Sequence, residues 1–176
     1  MESSCFLPEY LERIGFDGPV EASLPTLQLL QRLHPCAIPY ENIEPFLGRR
    51  VSLDPDVLYN KMIAGGRGGY CYEHNTLFCR VLQSIGFQVR TVAARVLWVV
   101  QPGYVNARTH MVLLVELSGG RFVADVGFGS QTLTTPLQID EEREQRSPVE
   151  HTECAPMPLG LKCKCKSKET GLRFTT

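Results

Sequence analysis

The sequence has neither an excess of positive charge nor a long apolar run. Its 18 lysine and arginine residues are balanced by 19 aspartate and glutamate residues, which gives a formal net charge of −1. Proteins that neutralise phosphate groups need surplus basic side chains, so we expect no nucleic acid partner. The longest apolar runs are Val96–Val100 and Met111–Val115, far short of a membrane span, so we expect no membrane association.

The first residues also lack the basic and apolar regions of a secretory signal. Seven cysteines are present, an odd number, in a chain of 176 residues that is long enough to fold without disulfide bonds. We therefore expect reduced thiols and a cytoplasmic location. The cysteines are Cys5, Cys36, Cys71, Cys79, Cys154, Cys163 and Cys165.

The pattern along the chain predicts an α+β protein. Helical periodicity in residues 1–86 predicts a helical bundle, and β-branched strands with glycine turns predict an antiparallel, barrel-like β-domain over 87–138. Residues 139–176 show neither period and are expected to form a weakly structured tail. No internal repeat is present.

Four helices are predicted within residues 7–86. The first follows the apolar spacing of residues 7–14, and the second covers 25–34 and ends before Pro35. A third follows the cap at Ser52–Pro55, and a fourth begins near Cys71 and ends at Gly86.

A segment with four glycines around Arg67 directly precedes Cys71, at the predicted start of the fourth helix. A helix N-terminus places partial positive charge and free N–H groups beside the sulfur, which favours the nucleophilic thiolate. A phosphate-binding loop is the alternative, but the Lys-Ser/Thr pair and the phased glycines of such loops are missing. The remaining alternative is a tight turn followed by an inert, buried cysteine.

A nucleophilic cysteine needs a base, and His110 is the preferred candidate because it opens an apolar strand. His74 follows Cys71 by three residues and remains a competitor. His34 stands beside Pro35, where a surface or capping role is expected, and His151 lies in the tail.

Asp125 is the candidate carboxylate, on the strand that follows the turn Ser118-Gly119-Gly120. For a turn centred on Gly119, Asp125 pairs with Leu113 and His110 with Phe128. This register places His110 and Asp125 on opposite faces of the hairpin, so their contact requires a bulge or a bend.

Together these segments closely resemble the arylamine N-acetyltransferases. The matching motifs, spread over about residues 1–138, are Ile38-Pro39-Tyr40-Glu41-Asn42, Arg67-Gly68-Gly69-Tyr70-Cys71-Tyr72-Glu73-His74-Asn75, Thr109-His110 and Ala124-Asp125-Val126-Gly127-Phe128-Gly129. The resemblance implies a cysteine-protease-like Cys-His-Asp core with Cys71 as nucleophile, His110 as base and Asp125 as the group that orients it.

The same resemblance implies the reaction. Acetyl-CoA, as co-substrate, acetylates Cys71, and an arylamine, arylhydrazine or hydrazide then takes the acetyl group in a ping-pong cycle, with backbone N–H groups near Cys71 stabilising the oxyanion. Tyr40 and Phe128 match positions that wall the aromatic-amine pocket, and Trp98 and Gly103 fall near the CoA entrance. Glu41 and Arg67 are expected to form a structural ion pair.

Family members carry a third, α/β lid domain, which we expect to be missing here. Two alternatives to acetyl transfer therefore stay open: a shortened, weakly active or inactive form with a binding or regulatory role, and a thiol hydrolase of the papain or transglutaminase kind. His151, Cys154, Cys163 and Cys165 are zinc-type ligands whose spacing matches no common zinc pattern, so no metal is predicted.

Overall fold

A computed structural model describes residues 6–96, 105–129, 132–139, 141, 145–146, 152–157, 160–165 and 172–174. Its elements follow the order of helices and then strands that the sequence predicts. No helix within these ranges has the length and apolar character needed to cross a membrane.

Five α-helices and one π-helical segment make up the first half. They are α1 (Phe6–Ile14), α2 (Leu24–Ala37), α3 (Ile43–Phe46), α4 (Pro55–Leu58), the π-helical segment Tyr59–Ala64 that continues α4, and α5 (Cys71–Ile85). The predicted cap before Pro55 is used, because Asp54 accepts hydrogen bonds from the backbone N–H groups of Asp56 and Val57. Ser23, which was not predicted as a cap, accepts a hydrogen bond from the N–H of Thr26 at the start of α2.

The sequence predicted that helix α2 ends before Pro35, but the helix continues to Ala37. Near the end of a helix a proline removes only the hydrogen bond of its own nitrogen, and the N–H of Ile38 still bonds to the carbonyl of His34 at 2.9 Å. The additional turn keeps His34 inside the helix, where its side chain is fully buried. The expected surface or capping role of His34 is therefore wrong.

Five strands of the main sheet are described: β1 (Gln88–Val96), β2 (His110–Leu117), β3 (Gly120–Ala124), β4 (Leu137–Gln138) and, after three strands of a second sheet, β8 (Leu172–Phe174). The sheet is antiparallel, and its strand order is β4-β3-β2-β1-β8. Strands β4 and β8 are its two edges, so the described strands form an open sheet and the predicted barrel is not confirmed.

The residues after 138, expected to be weakly structured, contain regular strands where they are described. Strands β5 (Gln145–Arg146), β6 (Thr152–Met157) and β7 (Gly160–Cys165) form a second, three-stranded antiparallel sheet, and β8 extends the main sheet. These strands are defined by backbone pairing between segments, which a search for local periodicity does not detect.

The two faces of the main sheet bury different clusters. One face, with Leu113, Val115, Phe122 and Ala124, packs with α1, α2 and α5 into the larger core. The other face forms a smaller cluster of Ala94, Val112, Val123, Leu133 and Leu137. Helix α5 contacts both β1 and β2, and Cys71 Sγ at its N-terminus lies 4.0 Å from the carbonyl oxygen of Thr109, the residue before β2.

The β2–β3 register differs from the predicted one by a single residue. Leu117 pairs with Gly120 and Leu113 with Ala124, so the turn is centred between Ser118 and Gly119. Continued by one step, this register sets Asp125 opposite Val112, two residues from His110 and on the same face. The predicted opposite-face arrangement is wrong, and no bulge is needed to bring the two side chains together.

Candidate active site

Cys71 is the first residue of α5 and is partly exposed. The helix start is fixed by Glu73, whose carboxylate accepts a hydrogen bond from the backbone N–H of Tyr70 at 3.0 Å. In the first turn of a helix the N–H groups have no partner within the helix, so they are available beside the sulfur.

Glycine is required where other backbone segments touch this turn. A Cβ on Gly68 would lie 1.8 Å from the carbonyl oxygen of Pro39, and one on Gly127 would lie 2.8 Å from the carbonyl oxygen of Cys71. The segment around Pro39 therefore lies directly against the glycine loop, residues 65–70, and the segment around Gly127 lies directly against Cys71. The glycines that the sequence singled out allow this close packing.

An ion-pair network holds the same loop from the other side. Arg67 contacts Glu41 at 2.5 Å and Glu44 at 3.2 Å, which confirms the predicted structural pair between Glu41 and Arg67. Lys61 contacts the buried Glu73 at 2.8 Å and Glu44 at 2.9 Å. Sequence reasoning did not assign a role to Lys61 or Glu44, because their spacing from the loop is not a local pattern.

His110 and Asp125 are buried and in contact, with 2.7 Å between Nε2 and Oδ2. Burial disfavours the charged ring, but the charge of Asp125, its hydrogen bond and the neighbouring Cys71 sulfur outweigh it and raise the pKa of His110 to about 9. Because Nε2 is held by Asp125, Nδ1 is the ring nitrogen left for Cys71. The structure thus brings Cys71, His110 and Asp125 together.

Asn75, quoted in the motif without a role, fixes the carboxylate. Its side-chain amide donates to Asp125 Oδ1 and to the carbonyl of Met111, both at 2.9 Å, and its oxygen accepts from the N–H of Val126 at 3.1 Å. The N–H of Gly127 also donates to Asp125 Oδ1, at 2.9 Å. The position of Asn75, four residues after Cys71 on α5, was the only available sequence signal.

The competing histidine, His74, is not available as a base for Cys71. Its Nδ1 lies 2.8 Å from His34 Nε2, its Nε2 lies 3.2 Å from the carbonyl oxygen of Pro39, and it is only 1% exposed. Burial lowers its pKa, although hydrogen bonds to the carbonyls of Pro39 and Gly69 oppose the shift. Both nitrogens are committed to other partners.

Two aromatic residues stand at the site. The Phe128 ring meets the His110 ring edge to face, with centroids 5.0 Å apart. Tyr40 is 46% exposed, and both burial and the nearby Cys71 raise its pKa. Trp98 and Gly103, expected near the CoA entrance, lie outside the described residues. Across the described ranges, no group of three His, Cys, Asp or Glu residues is arranged to hold a metal ion.

Comparison with known proteins identifies the family. The N-acetyltransferase family model matches residues 23–155, which extends the resemblance beyond the predicted limit at residue 138. The chain belongs to the arylamine N-acetyltransferase family. It is 41% identical to the arylamine N-acetyltransferase of Escherichia coli over 142 residues, covering 81% of this chain and 50% of that protein.

Solved arylamine N-acetyltransferases share the fold. The Mycobacterium tuberculosis structure has a TM-score of 0.88 and 38% identity, covering 97% of this chain and 66% of its own. The Mycobacterium marinum structure in complex with CoA has a TM-score of 0.87 and 36% identity, and the match covers 97% of this chain and 65% of that chain. The chain spans about half the length of the curated relatives it matches.

Proposed function

We propose that this chain transfers the acetyl group of acetyl-CoA to the nitrogen of arylamines, arylhydrazines or hydrazides through a thioester on Cys71. The observation that carries the proposal is the contact of Cys71, at the start of α5, with a histidine that is itself paired to the buried Asp125. Two comparisons support the proposal: the relatives are named arylamine N-acetyltransferases, and one structural neighbour was solved in complex with CoA.

In the first half of the cycle, His110 holds the proton of Cys71, and the sulfur attacks the acetyl carbonyl. The new bond joins Sγ to the carbonyl carbon, and the carbonyl electrons move onto oxygen, where backbone N–H groups near Cys71 and Tyr72 stabilise them. Collapse of this intermediate breaks the bond to the CoA sulfur. CoA then leaves as the thiol with the proton from His110.

In the second half, the amine nitrogen attacks the thioester carbonyl. His110 accepts the amine proton as the carbon–nitrogen bond forms, and the Cys71 sulfur leaves, so that the enzyme returns to its starting state. Asp125 keeps the ring in place and balances its positive charge throughout. Tyr40 and Phe128 supply aromatic surface for the acceptor, with Phe128 packed against the ring that moves the proton.

Acetyl transfer is tested by intact-mass measurement of the purified chain after incubation with acetyl-CoA. We expect one acetyl group on the wild type and none on Cys71→Ala. Cys36→Ala is the matched control, because Cys36 is exposed and carries a free thiol outside the site. Addition of an aminobenzoate then removes the acetyl group and yields its N-acetyl product.

Three other outcomes contradict the proposal. A folded wild-type chain without Cys71-dependent acetylation indicates a binding or regulatory role. Loss of the thioester to water at the same rate with and without amine indicates a thiol hydrolase. Acetylation of Cys36 in place of Cys71 indicates chemical labelling of an exposed thiol.

We also propose a cytoplasmic location and small-molecule partners alone, without nucleic acid or a membrane. The described cysteines Cys36, Cys71 and Cys79 are free thiols, and a nucleophilic thiol is preserved in a reducing compartment. Fractionation of cells that produce the chain tests the location.

A further inference from the structure

Three buried side chains, Tyr10, His34 and His74, form a hydrogen-bonded chain that ends at the backbone carbonyl of Pro39. The Tyr10 hydroxyl lies 2.8 Å from His34 Nδ1, and His34 Nε2 lies 2.8 Å from His74 Nδ1. The last member, His74 Nε2, lies 3.2 Å from the carbonyl oxygen of Pro39. Tyr10 and His34 have no exposed surface, and His74 is 1% exposed, so water does not compete for these groups.

The last partner, the Pro39 carbonyl, determines which atoms donate and which accept along this hydrogen-bonded chain. A carbonyl oxygen only accepts, so His74 Nε2 carries a proton and donates it to Pro39. Burial lowers the pKa of His74. Burial also lowers the pKa of His34, and the nearby His74 and Arg13 lower it further. Both rings are therefore neutral near pH 7. His74 Nδ1 therefore accepts from His34 Nε2, and His34 Nδ1 accepts from the Tyr10 hydroxyl.

The receiving carbonyl belongs to the segment that carries Tyr40. The Pro39 carbonyl also accepts from the N–H of Gly69 at 3.3 Å, and Tyr40 pairs with Gly69 as an isolated bridge. The Tyr40 ring lies parallel to the His74 ring, with centroids 6.2 Å apart. Gly129 also lies close to the Tyr40 ring, because a Cβ on Gly129 would be 3.7 Å from its nearest ring atom. His74 thus bonds to the backbone of this segment at Pro39 and lies parallel to its Tyr40 ring.

We propose that Tyr10, His34 and His74 are positioning residues that hold the Pro39 carbonyl and the Tyr40 ring in place for the aromatic acceptor. In the reversed tautomer, His74 Nε2 would present a lone pair to the Pro39 carbonyl, and the two acceptors would repel each other. The chain from Tyr10 excludes that tautomer. The functional consequence rests on the proposed acetyl transfer, and it concerns the second half of the cycle, in which the amine binds.

Substitution of His34 separates this role from simple packing. His34→Leu removes the donor to His74, and His34→Gln restores an N–H at that position. Phe78→Leu is the packing control. The buried Phe78 ring meets the His34 ring edge to face, with centroids 5.5 Å apart, and takes no part in the hydrogen-bonded chain. Each variant is pre-acetylated on Cys71, and the removal of the acetyl group is followed against aminobenzoate concentration.

We expect His34→Leu to raise the aminobenzoate concentration for half-maximal removal about tenfold more than it slows acetylation, as for the loss of one hydrogen bond. His34→Gln recovers most of that loss, and Phe78→Leu lowers the unfolding midpoint without the split between the two half-reactions. Equal effects of His34→Leu and Phe78→Leu on both half-reactions overturn the proposal.

A second measurement does not depend on catalysis. In nitrogen-15 spectra of the folded wild type near pH 7, we expect protons on Nε2 and none on Nδ1 for both His34 and His74. The ring resonances of Tyr40 shift in His34→Leu and stay in place in His34→Gln. A proton on Nδ1 of either ring overturns the proposal. If the wild type takes up no acetyl group, the proposed function fails, and these spectra still decide the positioning role.

Discussion

The side-chain amide of Asn75 donates to Asp125 at 2.9 Å, while the other carboxylate oxygen of Asp125 accepts from His110 at 2.7 Å. Helix α5 therefore supplies both Cys71 and, one turn later, the group that orients the carboxylate. Cys71, His110 and Asp125 come from distant parts of the sequence, and α5 connects them.

Replacement of Asn75 tests this connection. Asn75→Ala removes hydrogen bonds to Asp125, Met111 and Val126, so we expect a loss of about 2–4 kcal/mol in the free energy of unfolding. The rate of Cys71 acetylation should also fall, because Asp125 loses its orientation. Asn60→Ala, at an exposed position, serves as the control. Chemical denaturation and intact-mass kinetics measure the two effects, and equal stability of both variants would contradict the assignment.

The pH dependence of stability should reveal the His110–Asp125 pair. The folded pKa of His110, about 9, lies above its ordinary value of 6.5. Its contribution is therefore fully present below about pH 6.5 and is lost as the pH rises through about 9. We expect the wild type to lose about 3 kcal/mol relative to His110→Gln between pH 6 and pH 10. Denaturant titrations of both proteins at several pH values measure the difference. A constant difference across this range would contradict an imidazolium in the folded state.

Much of this site was predictable because its sequence signals are local. Glycines, helix caps and periodicity placed Cys71 at the start of a helix, and the resemblance supplied the three proposed catalytic side chains. The predicted hairpin register was wrong by one residue. When the centre of a turn moves by half a residue, each residue of one strand pairs with the next residue of the other strand, and a pair of side chains, one from each strand, that shared a face of the sheet then lies on opposite faces. Sequence cannot place a turn centre between two adjacent small residues, Ser118 and Gly119, with that accuracy.

Interactions that depend on tertiary packing were missed for a different reason. His34 was assigned to the surface because proline usually ends a helix, but here the additional turn of α2 buries the ring against α5. The role of Asn75 depends on the position of β2 and β3 beside α5, which no local pattern records. Long-range contacts of this kind decide which polar residues are buried.

The close approach of the glycine loop, residues 65–70, to Pro39 predicts that any side chain added at Gly68 destabilises the fold. A Cβ at this position would lie 1.8 Å from a backbone oxygen, so Gly68→Ala must displace one of the two segments. We expect a loss of at least about 2 kcal/mol in unfolding free energy, together with slower acetylation. Gly119→Ala is the matched control, because its added Cβ meets nothing within 4 Å. Similar unfolding midpoints for the two variants would show that the segments do not touch in solution.

The ion pairs under the loop should contribute unequally, because their burial differs. Lys61 and Glu73 expose only 10% and 2% of their side chains, whereas Arg67 exposes 47%. Lys61→Met leaves the Glu73 carboxylate buried without its cation, and we expect a loss of about 2–4 kcal/mol in unfolding free energy. Because Glu73 also caps the helix start at Tyr70, the acetylation rate of Cys71 should fall together with the stability.

Arg67→Met removes an exposed cation whose pairs are screened by water, so its effect on the free energy of unfolding should be much smaller and should shrink further in high salt. Denaturation of both variants at low and high salt measures the difference, and a larger loss for Arg67→Met would show that the surface pair, not the buried one, holds the loop.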